Sequence, residues 1–106
     1  MKITILGTDY DYAVVKHEDD SRLRENDGFT DSYEKTIHVA SDYYDDDPGS
    51  IRCMEEFMAK VKRHEIVHAF FFESGMSDWH KDETLVDWIA IQIPKMIKAF
   101  QEVGAV

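Results

Sequence analysis

From Ile51 to about Glu73 the chain repeats its apolar residues at helical spacing over roughly six turns. Ile51, Met54, Phe57, Met58 and Val61 form one stripe. Continued at the same period, that stripe brings up His64, Glu65, His68 and Phe72, while Ile66, Val67 and Phe70 fill the opposite face. Two histidines and a glutamate therefore lie where the helix points inward, on a segment apolar nearly all round. Pro48-Gly49-Ser50 is a suitable start, with Ser50 as N-cap, and Gly75 is placed to stop the helix.

The rest of the chain supplies the layer this helix packs on. "KITIL" is rich in β-branched residues and "DYDYAVVKH" alternates in part, so the two read as short strands joined by a turn at Gly7-Thr8-Asp9. Residues 18–32 are polar, with an Asn26-Asp27-Gly28 turn signal, and read as loop. "EKTIHVAS" reads as a third strand, with Ile37 and Val39 on one face and Thr36, His38 and Ala40 on the other. The acid-rich "DYYDDDPGS" lacks the spacing of a calcium loop and reads as a solvated connection. A second helix is predicted from about Asp82 to Phe100, kinked or interrupted at Pro94. The expected fold is α+β: about three strands covered by two helices, with residues 1–106 forming one minimal domain.

Composition narrows the partners. Acidic residues outnumber basic ones 22 to 12, and a net charge of −10 gives a field that repels phosphate, against nucleic acid or an anionic membrane as partner. The lone Cys53 excludes an internal disulfide and fits a reducing compartment. "MKITILG" lacks the long apolar core and cleavage site of a signal peptide. No apolar run approaches the roughly 18 residues of a membrane span. A cytoplasmic location is the expectation.

His64-Glu65-x-x-His68 is the H-E-x-x-H arrangement of zinc peptidases. Histidines one turn apart project side by side and suit one Zn²⁺, with Glu65 on an adjacent edge, able to reach a water without ligating the metal. A third protein ligand is needed. Phe71 and Ser74 stand where the longer metzincin pattern requires glycine and histidine, which excludes that class. Glu73 lies half a turn round the helix, and His80 falls on a connecting loop. Glu83 is better placed, opening the second helix with Asp87 one turn later on the same face.

"DETLVD", Asp82 to Asp87, resembles the N-E-x-x-x-D segment of gluzincins, the thermolysin-like zinc peptidases, with Asp82 in place of the family's asparagine. Together "RHEIVHAFFFESG" and "ETLVDWIAIQIPK" also resemble small zinc-peptidase-like proteins of phage and bacteria, over roughly residues 34–98. The resemblance implies Zn²⁺ held by His64, His68 and Glu83, with Asp87 hydrogen-bonded to a ligating histidine and Glu65 as general base. It implies a peptide or protein substrate laid along an edge strand, for which "KTIHVA" is the candidate. Tyr43, Tyr44, His38 and His80 are candidate donors to the substrate carbonyl. The competing expectation is a zinc-binding structural or regulatory module without chemistry, since a small domain gains stability from a metal.

Overall fold

A computed structural model describes residues 1–42 and 51–106, with side chains of the second stretch from residue 54 onward. The readings made on Tyr43, Tyr44, the acidic run, the Ser50 cap and the Cys53 thiol lie outside the described residues. Strand β1 (Lys2–Ile5) pairs antiparallel with β2 (Thr8–Val15), and Ile5 faces Thr8. The turn is thus Leu6–Gly7, both at positive φ, earlier than the Gly7-Thr8-Asp9 turn expected. A two-residue turn of that backbone matches the strand twist.

Residues 18–32 are not all loop. After two single turns of 3₁₀ helix (His17–Asp19 and Ser21–Leu23), β3 (Gly28–Asp31) pairs antiparallel with β4 (Thr36–Ala40). β3 is four residues with no apolar alternation, and pairing with β4 makes it a strand. The sheet has four strands, against about three expected, in the order β1-β2-β4-β3, with β2 and β4 parallel. β4 is therefore interior. The edge strand expected at "KTIHVA" is instead β3, because the hairpin returns β4 to the inside.

Ile37 and Val39 on β4 are fully buried. Ile37 clusters with Ile5, Tyr10 and Ala69, so this face receives the first helix, α1 (Ile51–Glu73). Each such apolar side chain contributes about 1.5–3 kcal/mol by leaving water. The other face is covered by the segment through Leu23, which is fully buried. There His38 Nδ1 lies 2.7 Å from Asp20, and Arg22 sits over the Phe29 ring. The Arg22 guanidinium and the His38 ring together hold the Asp20 carboxyl down at about 2, against the cost of burying it.

α1 ends as the glycine predicts. Gly75, at φ +81°, donates to the Phe72 carbonyl while Met76 donates to that of Phe71, a Schellman ending that needs a left-handed residue. The last residue of the helix, Glu73, accepts hydrogen bonds from Thr8, Tyr10 and Lys35 at 3.2, 2.7 and 2.6 Å. It faces the sheet, away from the histidine edge. Phe70 is the exception to an all-round apolar helix, at 44% exposed.

The predicted connection contains a short helix, α2 (Ser77–His80), before α3 (Glu83–Glu102). Asp82 caps α3 by accepting from the Leu85 amide at 3.0 Å. α3 runs through Pro94 to Glu102. Proline has no N–H for the carbonyl one turn back, that of Ala90. Arg63 of α1 supplies the missing donor, its Nε 2.6 Å from the Ala90 oxygen. A residue that weakens one helix thereby joins it to another beside His64. Among the described residues no helix is long and apolar enough to cross a membrane.

Candidate metal centre

His64, Glu65 and His68 lie on α1, and Glu83 and Asp87 on α3, where the two helices run against each other. His64 Nε2 is 3.2 Å from His68 Nε2, 2.8 Å from one Glu83 oxygen, and the other Glu83 oxygen is 3.0 Å from His68 Nε2. The ligand atoms of His64, His68 and Glu83 all lie within 4.8 Å of one another, and the group could hold a metal ion.

The outer nitrogens fix the ring chemistry. His64 Nδ1 is 3.1 Å from an Asp87 oxygen, and His68 Nδ1 is 2.7 Å from the His80 carbonyl. An ionised carboxylate and a carbonyl only accept, so each Nδ1 carries the N–H and donates it. Each Nε2 is then the ring atom left to face the other histidine and the carboxylate of Glu83. Two imidazole nitrogens and a carboxylate converging in this way are metal-ligand types with their outer nitrogens already oriented, and the residues fit a metal on that ground. Two imidazoles and one carboxylate suit Zn²⁺ with an open position, or ferrous iron.

The Asp87 carboxyl is held below its usual range: burial works against this, but the His64 hydrogen bond and the Lys60 ammonium, 3.4 Å away, outweigh it. Asp87 thus stays an acceptor that orients His64. Replacing it with asparagine should cost roughly 10–100-fold in metal affinity. Competition with a chromophoric chelator measures this, and unchanged affinity would leave Asp87 only a favourable charge at the start of α3.

Glu65 is 7% exposed. Burial pushes its carboxyl up to about 7 and the Glu83 charge adds to this, while a hydrogen bond from Thr30 and the His64 charge pull the other way. That range suits a group that must both take and return a proton near neutrality. Glu65, His64, His68, Glu83 and Asp87 all line one cleft of about 610 Å³.

β3 forms one wall of that cleft through Gly28, Phe29 and Thr30. The Ala40 amide donates to the Asp27 carbonyl at 2.8 Å, which makes Asp27 and Ala40 a hydrogen-bonded pair. Pairing alternates along an antiparallel ladder. Phe29 and Asp31 therefore bond to β4, while the main-chain groups of Gly28 and Thr30 point to the free edge.

The carbonyl-donor candidates separate. His80 lines the cleft, and its place is fixed: it ends α2, with Nδ1 3.1 Å from the His68 carbonyl and its ring edge-on to those of His68 and Phe72. Burial and the neighbouring His68 lower the His80 pKa. His38 stands on the far face of the sheet, bonded to Asp20, and does not line the cleft. Thr30 and Gly28 were not legible as site residues. The glycine read as a turn signal, and a threonine in a polar stretch carries no signal of its own.

Compared with protein-family models, with curated proteins and with solved structures, the chain matches none.

Proposed function

We propose that the protein is a zinc-dependent metallopeptidase of gluzincin-like type, with His64, His68 and Glu83 holding the metal. The observation that carries this reading is the convergence of both Nε2 atoms and Glu83 at one point while Asp87 and the His80 carbonyl occupy both Nδ1 atoms. Zinc, when bound there, supplies Lewis acidity toward a water and the substrate carbonyl. Glu65, in the same cleft, takes a proton from the attacking water and returns it to the departing amine. An extended peptide pairs with the free edge of β3 through the main-chain groups of Gly28 and Thr30.

Protein purified without chelator should carry about one equivalent of zinc per chain by elemental analysis, which also separates zinc from iron. The same preparation should cleave an unstructured protein substrate. Less than about a tenth of an equivalent would end the reading. Full zinc with no cleavage would favour a metal that only joins α1 to α3, which placement of the ligands on two helices also supports.

A further inference from the structure

We infer that Thr30 is a positioning residue: its hydroxyl fixes the Glu65 carboxylate in the angle from which it reaches the reacting water. This rests on the reading of Glu65 as the base. Thr30 Oγ1 lies 2.9 Å from Glu65 Oε1 and 2.9 Å from the Glu65 main-chain oxygen, across 35 positions of sequence. No other side chain hydrogen-bonds the Glu65 carboxyl among the described residues. A buried carboxylate with one anchor takes its direction from that anchor.

A glycine makes room for the stem of the same side chain. β3 approaches α1 so closely that a Cβ on Gly28 would stand 2.9 Å from Val61 Cγ1 and 3.0 Å from Glu65 Cγ. The far oxygen, Oε2, lies 3.2 Å from that same point. The missing side chain at Gly28 thus leaves the space that the Glu65 stem occupies, and Thr30 anchors Oε1, which leaves Oε2 for the water. A threonine needed only to fill strand space would be replaceable by valine, which has the same shape and higher strand preference. The hydroxyl is what valine lacks. The main-chain groups of Thr30 point the other way, to the free edge, so substrate pairing survives a change of side chain.

Thr30→Val separates these roles, with Thr30→Ala as a second variant and Thr30→Ser as the rescue. Zinc content should stay near wild type, with melting lowered by several degrees because a buried carboxyl loses its one side-chain donor. The kcat for peptide cleavage should fall about 10- to 100-fold with KM changed by less than about threefold, since a base displaced by roughly 1 Å loses effect on that scale. Thr30→Ser should recover most of the rate. A crystal structure of zinc-loaded Thr30→Val should show the Glu65 carboxylate turned from its wild-type position. An unmoved carboxylate overturns the inference, as does an unchanged kcat or a rate that Thr30→Ser fails to restore. If wild-type protein cleaves nothing, the peptidase reading fails by itself. The Thr30→Val structure then decides alone: a displaced carboxylate upholds the anchor and an unmoved one removes it.

Discussion

Glu65→Gln is expected to reduce peptide hydrolysis by at least about 10²-fold while zinc content is retained. Glutamine has the same length and shape, so its stem fits against Gly28 and its amide oxygen still accepts from Thr30. What disappears is the capacity to hold a proton between water and amine. The substitution should also raise stability in metal-free protein at neutral pH and above. Glu65 has a folded pKa of about 7, raised from 4.5, so folding favours its protonated form. The wild-type protein therefore loses stability as pH rises from about 4.5 through 7, by on the order of 3 kcal/mol. The glutamine variant has no such loss. Melting curves of the two metal-free proteins at pH 5 and pH 8, beside cleavage assays of the loaded forms, check both claims. Cleavage that survives the change would remove Glu65 from the mechanism.

Chelation should lower the melting temperature reversibly, on the order of 10 °C for metal present at about 100 times its dissociation constant. Without a metal, the two Nε2 atoms and the Glu83 carboxylate face one another at 2.8–3.2 Å with nothing bridging the three. Glu83 is 70% exposed and is free to turn to solvent. The Arg63–Ala90 and His64–Asp87 bonds remain to hold α1 to α3, so the chain loosens at this contact while the sheet face of α1 stays packed. A scan with and without EDTA, then with zinc restored, measures the effect. No shift would mean that the metal contributes nothing to the fold.

The two long helices and the residues that could hold a metal were legible because each histidine or carboxylate pair is written locally. His64 and His68 are one turn apart, as are Glu83 and Asp87, and the stripe from Met54 to Val61 says which way the first pair faces. The strands were legible in part. β1, β2 and β4 carry β-branched residues, but β3 becomes a strand through pairing with β4 rather than through its own composition. That missed strand moved the edge of the sheet, and with it the wall of the cleft. The remaining omissions are contacts distant in sequence. Thr30 meets Glu65, the His80 carbonyl meets His68, and Arg63 answers the donor that Pro94 removes. Residue type alone does not announce such pairs, because each depends on where the backbone brings a hydroxyl, a carbonyl or a guanidinium.

The order of the elements along the chain sets when this site can exist. Thr30 emerges first in synthesis, the two histidines next, and Glu83 and Asp87 only with α3, the last helix. Domains fold as units while the ribosome adds residues one by one, so a nascent chain that has passed His68 still lacks the Glu83 carboxylate and the Asp87 carboxylate that orients His64. A product truncated before residue 83 has two imidazoles on a helix that lacks its α3 cover. The group that could hold a metal is thus complete only once α3 has been made.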